Sequence, residues 1–125
     1  MRIIVNIDDE VPLFTQLVAQ VKKAVLSGEM EAGAAMPSIR QLANDLQINN
    51  KTVAKAYRLL ERDQVIQTKG YRGTFIHPDA KENSGVDLNA WVLRELSKTI
   101  KAFRDVDVTD SEIRIAFSHV MHNRN

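Results

Sequence analysis

The sequence predicts an α+β fold, mainly helical, and three observations carry that prediction. Two short amphipathic helices, opening at Ser38 and Asn49, are separated by a three-residue turn. A hairpin bearing two glycines follows at once, and two further amphipathic helices close the chain. Helix, tight turn, helix, hairpin is the order of a winged helix-turn-helix, here followed by a two-helix segment.

The elements can be justified in order. Arg2 to Ile7 is a short β-prone run, ended by Asp8, Asp9 and Glu10 before Pro12, which suits the first turn of a helix. The three acidic residues are adjacent and cannot converge on one cation, so their placement near a helix N-terminus accounts for them. Phe14, Leu17, Val18, Val21 and Val25 recur at helical spacing, and Gly28 can end that helix. It forms the back wall of the winged core, with Met30 and Met36 as gap-filling side chains. Next, Pro37 and Ser38 open a helix with a capping box to Gln41, and Ile39, Leu42, Ala43 and Leu46 line one face. Gln47, Ile48 and Asn49 make the turn. Asn49 caps a second helix whose apolar face is Val53, Ala56, Tyr57 and Leu60.

The opposite face of that second helix carries the functional signal. Lys51, Lys55, Arg58 and Arg62 line its exposed side, with Asn50 and Thr52 at its N-terminal end. Cationic side chains can neutralise phosphates, while short polar ones in the first turn can reach base edges in a major groove that admits a helix. From Ser38 to Ile76 there are seven basic and three acidic residues, a net +4, although the whole chain is only +1. The positive charge is concentrated, as nucleic-acid binding requires and a merely solvated face does not.

The periodicity then becomes strand-like. Val65 to Gln67 and Thr74 to Ile76 are β-branched or aromatic runs joined by the six residues Thr68 to Gly73. Lys69 and Arg72 at the tip, with Gly70 and Gly73 allowing close backbone approach, fit a wing that touches the DNA backbone or the minor groove.

These residues resemble the GntR-type bacterial transcription regulators. A Gly, a Pro-Ser-x-Arg helix start, a Thr-Val early in the recognition helix, a Leu-Glu near its end and a Gly-Thr-Phe in the wing are matched by Gly33, Pro37, Ser38, Arg40, Thr52, Val53, Leu60, Glu61, Gly73, Thr74 and Phe75. The resemblance spans roughly residues 11 to 77 and implies that Arg40, the Asn49 to Thr52 segment and the wing meet DNA. Three positions depart from the pattern. Asn50 stands where relatives often carry Arg or Pro, Gln64 replaces the usual glycine after the recognition helix, and Tyr71 occupies a wing tip that is more often Gly-x-Gly. The residues read as DNA-binding are therefore Ser38, Arg40, Asn49, Asn50, Lys51, Thr52, Lys55, Arg58, Lys69, Arg72 and Gly73.

The winged domain is placed at residues 1–77, a polar linker at 78–86 and a helical segment at 87–125. In that last segment Leu88, Trp91, Val92, Leu96, Thr99, Ile100 and Phe103 form one wide stripe. Thr109 to Glu112 is a capping box for a final helix with Ile113, Ala116, Phe117, Val120 and Met121 on one face. A hairpin this small has too little core to stand alone, so Leu88, Trp91, Val92, Leu96, Ile100, Phe103, Ile113, Phe117 and Val120 are read as dimerisation residues. The short tail resembles the YtrA-type subgroup and is too small for a separate effector-binding domain.

Composition bounds the remaining classes. Apolar content is 44%, and there are no cysteines, which removes disulfides and thiolate chemistry. No signal-peptide pattern or membrane-length apolar run is present, so a cytoplasmic protein is expected. His119 and His122 sit at i, i+3 without a carboxylate to complete a metal set, and no nucleophile–base pair points to an enzyme. The expectation is a DNA-binding regulator, read as a repressor, acting as a homodimer on double-stranded DNA with a palindromic operator. It needs no metal or cofactor, and an unidentified small-molecule effector is left open. The alternative is a winged-helix interaction module that meets an acidic protein.

Overall fold

Helix α1 (Leu13–Leu26) turns Leu17, Val21, Ala24 and Val25 into the core of the first unit. The computed structural model describes residues 3–123, and the chain separates into two units, Met1–Val86 and Asp87–Asn125. Ahead of α1, the β-prone run does not join a sheet over its described residues. Its backbone is satisfied instead by glutamine side chains of α1. Gln20 Oε1 accepts from the Ile4 amide at 2.8 Å, and its Nε2 donates to the Ile4 carbonyl. Gln16 does the same for Asn6, at 2.8 Å and 3.0 Å. Four residues of helix rise about 6 Å and two residues of extended chain advance about 6.6 Å, so glutamines at i and i+4 match alternate residues of the segment. This register turns Ile3 and Val5 toward the core and leaves Ile4 exposed.

Helices α2 (Ile39–Leu46) and α3 (Asn50–Arg62) follow the predicted spacing. Ser38 Oγ accepts from the Gln41 amide at 3.0 Å, the hydroxyl half of the expected cap. Gln47 takes a left-handed conformation, φ 57°, to turn the chain, and Ile48 packs against the core behind it. Val53, Ala56, Tyr57 and Leu60 of α3 are buried, as are Met30 and Met36.

The sheet has three antiparallel strands in the order β1 (Ala35–Met36), β3 (Thr74–Ile76), β2 (Ile66–Thr68). Ile66 pairs with Ile76 and Thr68 with Thr74, while the short β1 pairs Met36 with Thr74. Val65, Ile66 and Ile76 are fully buried, which anchors the wing to the helices.

The segment 78–86 is not a free linker. It contains a helical turn, α4 (Ala80–Asn83), with Ala80 and Ser84 buried. Asn83 Nδ2 donates to the Gln64 carbonyl at 2.9 Å, and Lys22 Nζ donates to the Val86 carbonyl at 2.9 Å. Its polar composition hid these anchors, and the winged unit runs to Val86 rather than 77.

The second unit consists of α5 (Leu88–Asp105) and α6 (Asp110–His122). Asp87 caps α5 through the Ala90 amide at 3.0 Å. Thr109 and Glu112 form the full capping box that opens α6. Asp107, φ 63°, makes the turn between them, and Arg104 pairs with Asp110 at 3.1 Å. Among the described residues neither helix has a buried side chain.

Candidate nucleic-acid interface

The recognition face of α3 follows from how the helix is anchored. Its apolar side is wholly buried, so Asn50, Lys51, Lys55 and Arg58 are left exposed and Thr52 half-buried beside them. Asn49 Oδ1 accepts from the Lys51 amide at 2.8 Å, and its side-chain Nδ2 has no hydrogen-bond partner among the described residues. At the helix centre the Tyr57 hydroxyl donates to the Pro37 carbonyl at 2.6 Å, which fixes α3 against the start of α2.

Among the described residues no carboxylate lies within ion-pair distance of Arg40, Lys51, Lys55, Arg58, Lys69 or Arg72. Unneutralised cations on one small domain raise the local potential toward a polyanion. The stripe is nevertheless not uniform. Lys55 Nζ lies 3.9 Å from the centroid of the Phe14 ring, so the first turn of α1 orients this lysine by a cation–π contact. Arg62 leaves the stripe altogether: its Nε donates to Asp63 Oδ1 at 2.8 Å.

Arg40 and Asn50 share an open groove that Ser38, Gln41, Asn44 and Gln47 also line. The groove runs along α2 from its cap and through the turn to the first residue of α3, so Arg40 and Asn50 both border it. Gln41, Asn44 and Gln47 were not anticipated as site residues; polar side chains on the solvent face of α2 carry no distinguishing sequence signal.

The wing tip is a single 3₁₀ turn, Gly70–Arg72. Both positive φ angles of the tip fall on glycines, 59° at Gly70 and 109° at Gly73, so Tyr71 needs no strained backbone. Lys69, Arg72 and Gly73 are exposed there, and Lys69 Nζ lies 5.4 Å from the Phe75 ring centroid. The wing base is tied to α3 through Thr68, whose hydroxyl donates to Glu61 at 2.8 Å.

Behind the interface lies a buried polar cluster. Lys22 Nζ pairs with Asp63 Oδ2 at 2.8 Å, with side-chain exposures of 11% and 8%. Burial pushes the Asp63 carboxyl up, but hydrogen bonds and charge from Arg62 and Lys22 outweigh it and hold the group below the usual carboxylate range. The cluster joins α1, the end of α3 and the Val86 carbonyl.

The profile of the bacterial regulatory proteins of the gntR family matches residues 13–76, from the start of α1 to the end of β3. The chain belongs to the gntR family. It is 43% identical over 70 residues to the HTH-type transcriptional repressor YtrA of Bacillus subtilis (strain 168), covering 56% of this chain and 54% of that protein. It is 45% identical over 65 residues to the HTH-type transcriptional regulator Rv1152 of Mycobacterium tuberculosis, covering 52% and 54%. The chain thus spans about half the length of these curated relatives. Among solved structures, a transcriptional antiterminator from Listeria monocytogenes EGD-e superposes with a TM-score of 0.66 at 30% identity, over 97% of this chain and 90% of that one. Among the described residues, no helix of this gntR-family chain is long and apolar enough to cross a membrane.

Proposed function

We propose that this gntR-family chain is a sequence-specific DNA-binding transcription regulator that occupies a palindromic operator as a homodimer. The observation that carries the reading is α3: one face fully buried, the other exposing Lys51, Lys55 and Arg58, which have no carboxylate within ion-pair distance among the described residues, with Asn50, Lys51 and Thr52 in the first turn. Such a helix docks by its N-terminal residues, with base contacts there and phosphate contacts further along. The relatives named as a repressor and a regulator support a regulatory rather than enzymatic role, and repression is the sign we favour.

Dimerisation is supported by the second unit. Trp91 is 52% exposed and Phe117 51%, on helices that among the described residues have no fully buried side chain. Apolar surface of this extent favours a second copy over water, and a two-fold pair of winged units matches a two-fold operator. A small-molecule effector belongs to the same reading as an open element, and cytoplasmic placement follows from work on chromosomal DNA.

Selection of bound sequences from random duplexes tests the whole. An inverted repeat with salt-dependent affinity is the expected result. Salt-insensitive binding without a preferred sequence would point instead to a protein-interaction module.

A further inference from the structure

Tyr71 occupies the middle of the wing's 3₁₀ turn and is 99% exposed. The turn that carries it is closed on itself. Lys69 N donates to the Gly73 carbonyl at 2.8 Å, Arg72 N to the Lys69 carbonyl at 3.1 Å, and Gly73 N to the Gly70 carbonyl at 3.3 Å. The aromatic ring is therefore presented by a bonded, glycine-flanked tip. Lys69 is drawn back toward Phe75, whereas Tyr71 contributes nothing to the core.

An aromatic side chain that buries no surface does not stabilise its own fold, and its contact energy is realised only against another molecule. The immediate surroundings select which. Lys69 and Arg72 stand on either side of Tyr71 along the tip, and among the described residues neither has a carboxylate within ion-pair distance. A cationic tip is drawn to a polyanion. Tyrosine loses few torsional states on contact, which suits a rigid anchor.

Resting on the DNA-binding reading, we propose that Tyr71 is a direct operator contact, its ring lying on the deoxyribose wall of the minor groove beside the phosphates met by Arg72. The contact is uncharged. It therefore releases no counterion and adds affinity at every salt concentration alike, whereas each cation–phosphate contact adds about one unit to the salt slope.

Anisotropy titrations of the full chain on a labelled operator duplex, repeated over a salt series, separate these terms. Tyr71→Ala is expected to weaken binding roughly tenfold at each salt concentration with an unchanged slope, the order of one aromatic contact to nucleic acid. Tyr71→Phe should stay within about twofold of wild type, because the ring and not the hydroxyl carries the contact. Arg72→Ala should lower the slope by about one unit. The thermal midpoint of Tyr71→Ala should match wild type, since the residue is 99% exposed. The proposal is overturned if Tyr71→Ala binds like wild type, if its slope falls, or if Tyr71→Phe loses as much as Tyr71→Ala. Absence of salt-dependent duplex binding by the wild-type chain would defeat the DNA-binding reading itself. Wild-type binding that Tyr71→Ala leaves intact defeats only the role of Tyr71.

Discussion

The hydroxyl of Tyr57 and the carbonyl of Pro37 meet at 2.6 Å, a hydrogen bond that spans twenty residues and ties the middle of α3 to the residue before the α2 cap. Burial raises the Tyr57 phenol from its ordinary value of 10.0 to about 12. Pro37 is the entry to α2, so this bond sets the spacing of the two helices that present Arg40 and Asn50.

Replacing Tyr57 with Phe should cost about 1–2 kcal/mol, because the Pro37 carbonyl loses its partner while the ring still fills the core. The pH dependence is a sharper test. The folded state favours the neutral phenol, so its contribution is full below about pH 10 and is lost as the pH rises toward about 12. Chemical denaturation between these limits should show wild-type stability falling more steeply than that of Tyr57→Phe. Parallel profiles would refute the assignment.

Asp63 makes the opposite prediction at acid pH. Its native value is lowered, so its contribution is full above an unfolded value of about 4 and declines as the pH falls through the native value. Asp63→Asn should flatten that acid limb. At neutral pH it should destabilise by about 2–4 kcal/mol, since Lys22 would remain buried without its counter-charge. Urea midpoints from pH 2 to 7 measure both effects, and an unchanged acid limb would count against them.

These two side chains also show what the sequence discloses and what it hides. α1, α2 and α3 were legible because Leu17, Val21, Leu42, Val53 and Leu60 repeat at helical spacing and are in fact buried. The wing was legible from its β-branched runs and paired glycines. β1 was not, since two residues such as Ala35 and Met36 carry no period and are recruited by the edge of β3. Lys22 reads as a solvated helix residue; its partner Asp63 lies 41 positions away and its second acceptor, Val86, 64 away. The β-prone run from Ile3 to Ile7 forms no strand: Ile4 and Asn6 are held by glutamine amides of α1, and Ile7 already lies in a turn. In the interface, the basic stripe was visible, whereas the diversion of Arg62 to Asp63 and the seating of Lys55 over Phe14 depend on contacts between distant segments.

Gln64 holds the left-handed conformation, φ 57°, in the turn that follows α3. The αL region costs a non-glycine residue about 1–2 kcal/mol, part of which glycine returns as chain entropy. The side chain is exposed, and the hydrogen bonds at this position are made by the backbone: the amide donates to the Glu61 carbonyl at 3.0 Å and the carbonyl accepts from Asn83. Gln64→Gly should therefore stabilise the winged unit by about 0.5–1 kcal/mol with no change in DNA affinity. A lower thermal midpoint would show that the glutamine side chain has a role of its own.

The proposed dimer has a direct test that leaves the winged unit intact. Trp91→Glu combined with Phe117→Glu places charge on the exposed apolar faces of α5 and α6 and leaves the sequence of the first unit unchanged. Sedimentation at micromolar concentration should show wild type as a dimer and the double variant as a monomer. A chain ending at Val86 should also be monomeric; cutting earlier, near Asn83, would remove the Val86 carbonyl that Lys22 holds. A monomeric wild type, or a dimeric chain ending at Val86, sinks the assignment.

Division of labour along α3 is the remaining prediction. Asn50 stands at the first position of the helix beside the Arg40 groove, whereas Lys55 lies more than a turn further on, steered toward α1 by Phe14. A helix that enters the major groove by its N-terminus brings Asn50, Lys51 and Thr52 to base edges and leaves Lys55 and Arg58 at the phosphate wall. Asn50→Ala should change the preferred base at one operator position, worth about 1–3 kcal/mol of discrimination, and leave the salt slope as it was. Lys55→Ala should weaken specific and random duplexes alike and reduce the slope by about one unit. Phe14→Leu keeps the helix face apolar but removes the ring beneath Lys55. If that ring positions the ammonium for a phosphate, Phe14→Leu should weaken binding in the wild-type background and change little in Lys55→Ala. Equal losses in both backgrounds would mean that Phe14 acts only through the core, and an altered base preference in Lys55→Ala would place this lysine in the groove rather than on its wall.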